Sequence, residues 1–231
     1  MLTKKKDIIS NSIYWDIFNW SKSISFWESH MKNADNKLKA LELGCGENGG
    51  LSLWLASKGY NVNCSGYEPV SSRTKGIHSK YNLIGNIEYN QIDALSIPYE
   101  KYYDIVCFKS ILGGIVRDGS LEIANKVISE IHKTLKPNGI VLFTENLSST
   151  IIHRLLRTKY GALKNNWRYF NIEEIRDLFS EYSSFNYRTF GFWGCFGRTE
   201  KQKNILGKID SIFFDSLPER FHYIISCIAT K

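Results

Sequence analysis

The run Ala40-Leu41-Glu42-Leu43-Gly44-Cys45-Gly46-Glu47-Asn48-Gly49-Gly50 constrains this chain most, because it joins an apolar strand to a helix through a glycine loop led by an acid. Gly44, Gly46 and Gly49 let the backbone turn sharply and approach a ligand closely. A helix starting there aims free N–H groups and the positive end of its dipole at that ligand. The arrangement suits the nucleoside part of a cofactor. Glycine strings of this kind also occur in several unrelated nucleotide loops and in accidental turns, so the surrounding pattern has to discriminate.

From residue 39 to about 146, short apolar runs alternate with helical periodicity, which predicts βαβ units and a parallel sheet. The expected strands are Lys39 to Leu43, Asn61 to Tyr67, Ile87 to Gln91, Tyr103 to Phe108 and Ile140 to Thr144. The helices between them are Gly49 to Lys58, Val70 to Tyr81 and Leu121 to Leu135. In the last, Leu121, Ala124, Ile128, Ile131 and Leu135 recur at helical spacing until Pro137 and Gly139 stop the helix. A basic segment, Leu147 to Phe170, follows. Then come a helix at Ile172 to Tyr182, a strand at Phe185 to Phe192, a helix at Glu200 to Leu217 and a strand at Phe221 to Thr230, the late strands pairing antiparallel at one sheet edge. Ahead of the sheet, Ile13 to Lys32 carries Tyr14, Trp15, Phe18, Trp20, Phe26 and Trp27 as one or two amphipathic helices.

A chain of 231 residues with this pattern fits one domain. Its five cysteines are scattered and lack C-x-x-C spacing, so they resemble cytosolic thiols rather than a disulfide frame or a zinc site, and no metal is expected. Lys4, Lys5 and Lys6 begin like a signal segment, but Asp16, Asn19 and Lys22 break the apolar residues that follow. Neither a signal sequence nor a membrane span is expected, and a cytoplasmic location is. The net charge of +7 suits anionic partners: phosphorylated small molecules, nucleic acid or a membrane surface.

Three further features sit beside the glycine loop. Glu42 precedes the first glycine by two, where dinucleotide loops carry an apolar residue. Glu68 ends the second strand, where a carboxylate accepts both ribose hydroxyls. Ile92-Asp93-Ala94-Leu95-Ser96-Ile97-Pro98-Tyr99 follows the third strand. With Tyr103-Asp104-Ile105-Val106 and Leu135-Lys136-Pro137-Asn138-Gly139, this series resembles the class I S-adenosyl-L-methionine (SAM) dependent methyltransferases over residues 39 to 146. Asn48 stands where that family often has its third glycine.

The resemblance implies a Rossmann-like, doubly wound, mostly parallel seven-stranded α/β sheet with an antiparallel edge strand. It implies a helical lid (residues 1–36), a SAM-binding half (37–146), a basic substrate-binding insert (147–170) and C-terminal helices with edge strands (171–231). It also implies SAM as cofactor, S-adenosyl-L-homocysteine as product, and cofactor contacts at Glu42, Gly44, Cys45, Gly46, Glu68, Asp93, Ala94 and Lys109. In that scheme Glu42 faces the ligand's cationic amino acid end, and Asp93 accepts from the adenine amino group with the Ala94 backbone alongside.

Acceptor residues in such a sheet stand just beyond the fourth and fifth strands, at Lys109 to Gly114 and at Glu145-Asn146. The chain lacks an Asn/Asp-Pro-Pro-aromatic string, the double-glutamate loop of arginine methyltransferases, the aspartates that hold magnesium in catechol-type enzymes, and a Pro-Cys nucleophile. What remains resembles small-molecule and glycan O-methyltransferases. Between Leu147 and Phe170 stand Arg154, Arg157, Lys159, Lys164, Arg168 and His153 with no acid, which fits an anionic acceptor; Trp167, Tyr169 and Tyr160 are candidates to stack on it. The same stretch also reads as a solvated amphipathic helix.

His153 is the first candidate base, since an unperturbed pKa of about 6.5 suits proton removal near neutrality. Glu145 is the second, and His30 and Trp20 are further candidates on the acceptor side. Lys109 is a charge directly after an apolar strand, able to hold an anionic oxygen. Trp15, Trp20 and Trp27 lie where related enzymes fold a lid. Asn19-Trp20-Ser21-Lys22 and Phe196 to Lys201 resemble segments of enzymes of surface-polysaccharide assembly. The leading expectation is therefore O-methylation of an anionic carbohydrate or small metabolite; an RNA methyltransferase, a non-catalytic SAM-binding module and an NAD dehydrogenase are the alternatives.

Overall fold

The computed structural model describes residues 2–31, 38–117, 119–160 and 167–231, with the side chains of 2–4 and 156–160 outside that description. Seven strands form one sheet: β1 (Lys39–Leu43), β2 (Asn61–Gly66), β3 (Ile87–Gln91), β4 (Tyr103–Lys109), β5 (Leu135–Asn146), β6 (Ser184–Phe190) and β7 (Ile224–Thr230). Their order is β3-β2-β1-β4-β5-β7-β6. The first five are parallel, and β7 runs antiparallel to both β5 and β6. The antiparallel strand is thus one place in from the edge, and β6 is the edge.

Alternation along each strand sends side chains to two helical layers. On one face Leu41, Leu43, Val106, Phe108, Val141 and Phe143 pack against α5 (Leu112–Ile115), α6 (Leu121–Thr134) and α8 (Ile172–Leu178). In α6 the stripe Ala124, Val127, Ile128 and Ile131 is buried, while Leu121, expected in that stripe, is exposed. A capping box starts α8: the Asn171 side chain accepts from the Glu174 N–H at 2.7 Å, and the Glu174 carboxylate accepts from the Asn171 N–H at 2.9 Å.

The other face, with Ala40, Val62, Cys64, Ile105, Cys107 and Leu142, carries α1 (Leu2–Ile13), α2 (Ile17–Glu28), α3 (Gly50–Ser57) and α4 (Ser72–Lys80). Here the expected lid needs correction. Trp20 and Trp27 of α2 are 1% and 0% exposed, and the Trp27 indole N–H donates to the Cys227 carbonyl at 3.1 Å. Seated so, α2 belongs to the core layer; of the three tryptophans Trp15, before it, is exposed.

Past β5 come α7 (Ile151–Tyr160) and, after β6, α9 (Glu200–Ile209), which continues as a π-helical turn through Asp210–Phe214. Among the described residues no helix is long and apolar enough to cross a membrane.

Candidate active site

The parallel strands end on one side of the sheet, and four acids lie on or just beyond them there: Glu42 on β1, Glu68 after β2, Asp93 after β3 and Glu145 on β5. After β1 the backbone takes left-handed values at Gly44 (φ 70°) and Gly46 (φ 65°). A Cβ at Gly44 would stand 2.6 Å from Ile111 Cγ2, so the loop after β4 packs directly on it, whereas a Cβ at Gly46 would meet no atom within 4 Å. The loop is therefore closed against the protein at Gly44 and open at Gly46. From behind, Thr74 Oγ1 donates to the Gly46 carbonyl at 3.1 Å, and His78 Nε2 lies 2.7 Å from the Gly49 carbonyl and donates to it. Burial lowers the pKa of His78, so its Nδ1 is free to accept from the Tyr89 hydroxyl at 3.0 Å.

Glu42 is 2% exposed and turns onto α3, accepting from the N–H groups of Leu51 (2.6 Å) and Ser52 (2.8 Å) and from the Ser52 hydroxyl (2.5 Å). The helix N–H groups that the sequence aims at a ligand are thus capped by this carboxylate. Burial raises its pKa and the Ser52 and Leu51 bonds oppose the rise. Cys45 is likewise inward, its backbone N–H donating to the Ser65 carbonyl at 2.9 Å, so it offers the site only its backbone.

Glu68 and Asp93 are exposed beyond the ends of β2 and β3, and Ala94 is buried beside Asp93. The Asp93 carboxylate accepts from the Leu95 N–H at 2.9 Å, fixing the turn, and the Ile92 N–H donates to the Gly66 carbonyl at 2.9 Å, tying the two strand ends together. Glycine loop, Glu68 and the Asp93-Ala94 turn therefore form one continuous rim.

Across from that rim, β4 ends at Lys109, whose ammonium stands 5.1 Å from the centre of the Trp20 ring. Among the described residues it makes no hydrogen bond or ion pair. Burial lowers its pKa, and the charges of Glu42, Glu145 and Asp16 partly restore it. Glu145, 1% exposed, accepts from the Leu112 N–H at 3.2 Å and holds the start of α5; burial lifts its pKa to about 7.

Asp16 is fully buried at the turn between α1 and α2, in a left-handed conformation (φ 47°). The Tyr223 hydroxyl donates to its Oδ2 and itself accepts from Asn19 Nδ2 at 3.0 Å, while Asp16 Oδ1 has no hydrogen-bond partner among the described residues. Burial pushes the Asp16 pKa to about 7 against the Tyr223 bond. Glu200 of α9 pins the turn by accepting from the N–H groups of Asp16 (2.8 Å) and Ile17 (3.1 Å). Arg73, beside Thr74, sits 6.0 Å from the Tyr14 ring, so this turn also borders the segment that holds the glycine loop.

A family model described as a methyltransferase domain matches residues 23–185, well over half of the chain. The chain belongs to the class I SAM-dependent methyltransferases. Its cofactor is SAM, and the open face at Gly46 with exposed acids after β2 and β3 fits that ligand. No curated protein matches the sequence. Among solved structures, the phosphoethanolamine N-methyltransferase 2 of Haemonchus contortus, determined with SAM, is similar at TM-score 0.61 and 16% identity over 92% of this chain and 52% of that one. This chain thus spans about half the length of the Haemonchus enzyme. A SAM-dependent methyltransferase of Methanosarcina mazei is similar at TM-score 0.58 and 16% identity, covering 89% and 96%. A Thermotoga maritima methyltransferase, described as a possible histamine N-methyltransferase, gives TM-score 0.59 and 13% identity, covering 94% and 91%.

Several acceptor-side expectations for this methyltransferase change. His153 is fully buried; its Nε2 donates to the Phe192 carbonyl (2.9 Å), its Nδ1 lies 2.8 Å from Thr150 Oγ1, and its ring packs among Phe192, Phe196 and Tyr223. Both ring nitrogens serve packing, so it is unsuited to be the base. The Arg168 guanidinium pairs with Glu174 at 2.6 Å and donates to the Gly119 carbonyl, which engages it in holding α8 rather than an acceptor. His30 lies in the turn just past the C-terminal end of α2, more than two helical turns from Trp20. Arg154 is exposed on α7, and Trp167 lies over Gly114, 3.1 Å from where a Cβ would stand. The side chains of Arg157, Lys159 and Tyr160, and all of Lys164, lie outside the described residues. Asp16 is the residue that the sequence pattern hides: its only mark there is as a break in an apolar run.

Proposed function

We propose that the chain transfers the methyl group of SAM to an oxygen of a small anionic acceptor, a sugar acid or sugar phosphate being the class to try first. Bound SAM supplies an electrophilic methyl carbon on a sulfonium. In this reading Glu68 accepts from the ribose hydroxyls, Asp93 and Ala94 hold the adenine, and the Gly44-Cys45-Gly46 backbone lines the amino acid end. Glu42 acts one step back, by fixing α3 beneath the loop. Lys109, backed by the buried Trp20 ring, pairs with the acceptor's negative charge, the exposed Trp15 walls it, and Asp16 takes the proton from the attacking hydroxyl. Glu145 holds the loop after β4 in position.

The observation that supports this most is the Lys109 ammonium: a half-buried cation without an ion pair among the described residues, which feels the charge of the buried Asp16 carboxylate, whose Oδ1 has no partner among those residues and whose pKa is about 7. A base titrating near neutrality suits proton removal from a hydroxyl. It suits a protonated amine equally well, so a nitrogen acceptor that also carries an anionic group is the second reading. Two similar structures are named for nitrogen acceptors, phosphoethanolamine and, as a possibility, histamine, and of these phosphoethanolamine carries an anionic group. Labelled SAM supplied with a panel of sugar acids, sugar phosphates and phosphorylated amines tests both, with nuclear magnetic resonance locating the new methyl on oxygen or nitrogen. Label appearing only in RNA would reject both.

A further inference from the structure

Half of the large apolar side chains exposed among the described residues belong to two helices. Ile205, Ile209, Ile212 and Phe213 are 54%, 37%, 70% and 64% exposed along α9 and its π-helical continuation. Ile151, Ile152 and Leu155 are 64%, 50% and 64% exposed on α7. Their spacings (i, i+4, i+7, i+8 in α9; i, i+1, i+4 in α7) put each set on one face. The inner face of α9 is already used: Lys203, Gly207 and Asp210 are buried, and a Cβ at Gly207 would meet the Phe18 ring at 2.7 Å. The inner face of α7 is used too, through His153. These outward stripes are therefore surplus to the core.

The two helices meet at Phe196, whose ring is 4.9 Å from that of His153 and which lines a cavity of about 510 Å³ with Arg198, Ile205 and Leu206. Exposed apolar stripes on helices that pack on a common residue mark a docking face. Its border is cationic. Exposed Lys201 and Lys208 fall together along one flank of the α9 stripe, and Arg154 adjoins the α7 stripe. The nearby acids are engaged elsewhere: Glu200 on the α2 N–H groups, Asp210 on the Trp193 and Gly194 N–H groups, and Asp215 on Lys22 at 2.5 Å.

We propose that α7 and α9 lie on an anionic lipid surface, their isoleucines, leucine and phenylalanine entering the headgroup boundary while the lysines meet lipid phosphates. An amphipathic helix with a basic border binds such a surface without crossing it. The full chain is tested by sedimentation with phosphatidylcholine vesicles, with and without phosphatidylglycerol. Binding is expected only with phosphatidylglycerol and is expected to weaken with salt. Ile212→Glu and Phe213→Glu, at exposed positions where folding tolerates them, each reduce partition at least about tenfold. Lys201→Gln and Lys208→Gln each reduce it about fivefold. Thermal unfolding and methyl transfer to a soluble acceptor stay unchanged in all four variants. Equal binding to neutral vesicles, no binding to either, or a dimer in solution that Ile212→Glu dissolves would overturn the proposal, the last by assigning the face to a second copy of the chain.

Discussion

Replacing Asp16 by Asn removes a titrating carboxyl while keeping its shape and an oxygen to accept from Tyr223. In the folded chain burial holds the Asp16 pKa at about 7, against 3.8 when unfolded. Between those values the folded state keeps a proton that the unfolded state has lost, so folding becomes less favourable as pH rises through this window and levels off above 7. The full difference is about 4 kcal/mol, of which about 3 kcal/mol falls between pH 5 and pH 8. Glu200, Lys203, Asp210 and Lys109 also face Asp16, and they are present in both proteins, as is Glu145, which titrates in the same window. The difference between wild type and Asp16→Asn isolates Asp16. Asp16→Asn should gain about 3 kcal/mol over wild type on moving from pH 5 to pH 8, a relative rise of about 6–12 °C in Tm for a chain of this size. Methyl transfer should fall by about 10²–10⁴ while SAM binding persists. Equal losses of stability in the two proteins between pH 5 and pH 8 would show that Asp16 is already ionised at pH 5 and refute the argument.

Other consequences are direct. Lys109→Met should raise the acceptor KM at least about tenfold while changing SAM affinity less than about threefold, because a charged hydrogen bond contributes about 1.5–3 kcal/mol; steady-state kinetics with calorimetry separates the two. Glu68→Ala should weaken SAM binding about 10–100-fold by calorimetry. Gly50→Ala puts a Cβ 2.5 Å from Glu42 Oε2 at a left-handed position (φ 61°), and should cost at least about 2 kcal/mol in urea unfolding. Arg168→Ala should destabilise the chain by about 1–2 kcal/mol through loss of the Glu174 pair, with acceptor KM changed less than about twofold.

How much of this was legible in the sequence follows from the range of the interactions involved. β1 and its glycine loop, and the turns carrying Glu68 and Asp93, are set by local periodicity and turn chemistry within a few residues, and they stand where the motif predicts. The capping role of Glu42 was hidden because an acid before a glycine loop reads as a ligand contact, and only the fold shows α3's N–H groups reaching it. His153 and Arg168 were misleading for the same reason in reverse. Their partners, Phe192 and Glu174, are known only once β6 and α8 are placed. Asp16 depends on Tyr223, more than two hundred residues away, and no spacing rule connects them. Helix α5 leaves no mark in the sequence, since four residues, Leu-Gly-Gly-Ile, carry no periodicity and owe their helical turn to Glu145.

The most direct test of the account is methyl transfer from labelled SAM to a purified anionic acceptor by wild type, Asp16→Asn and Lys109→Met. The expected result is a methyl on an oxygen of the acceptor, formed by wild type with a rate that climbs through pH 7, nearly lost in Asp16→Asn, and in Lys109→Met requiring at least about tenfold more acceptor. Unimpaired transfer by either variant, or transfer only to acceptors without negative charge, would contradict it.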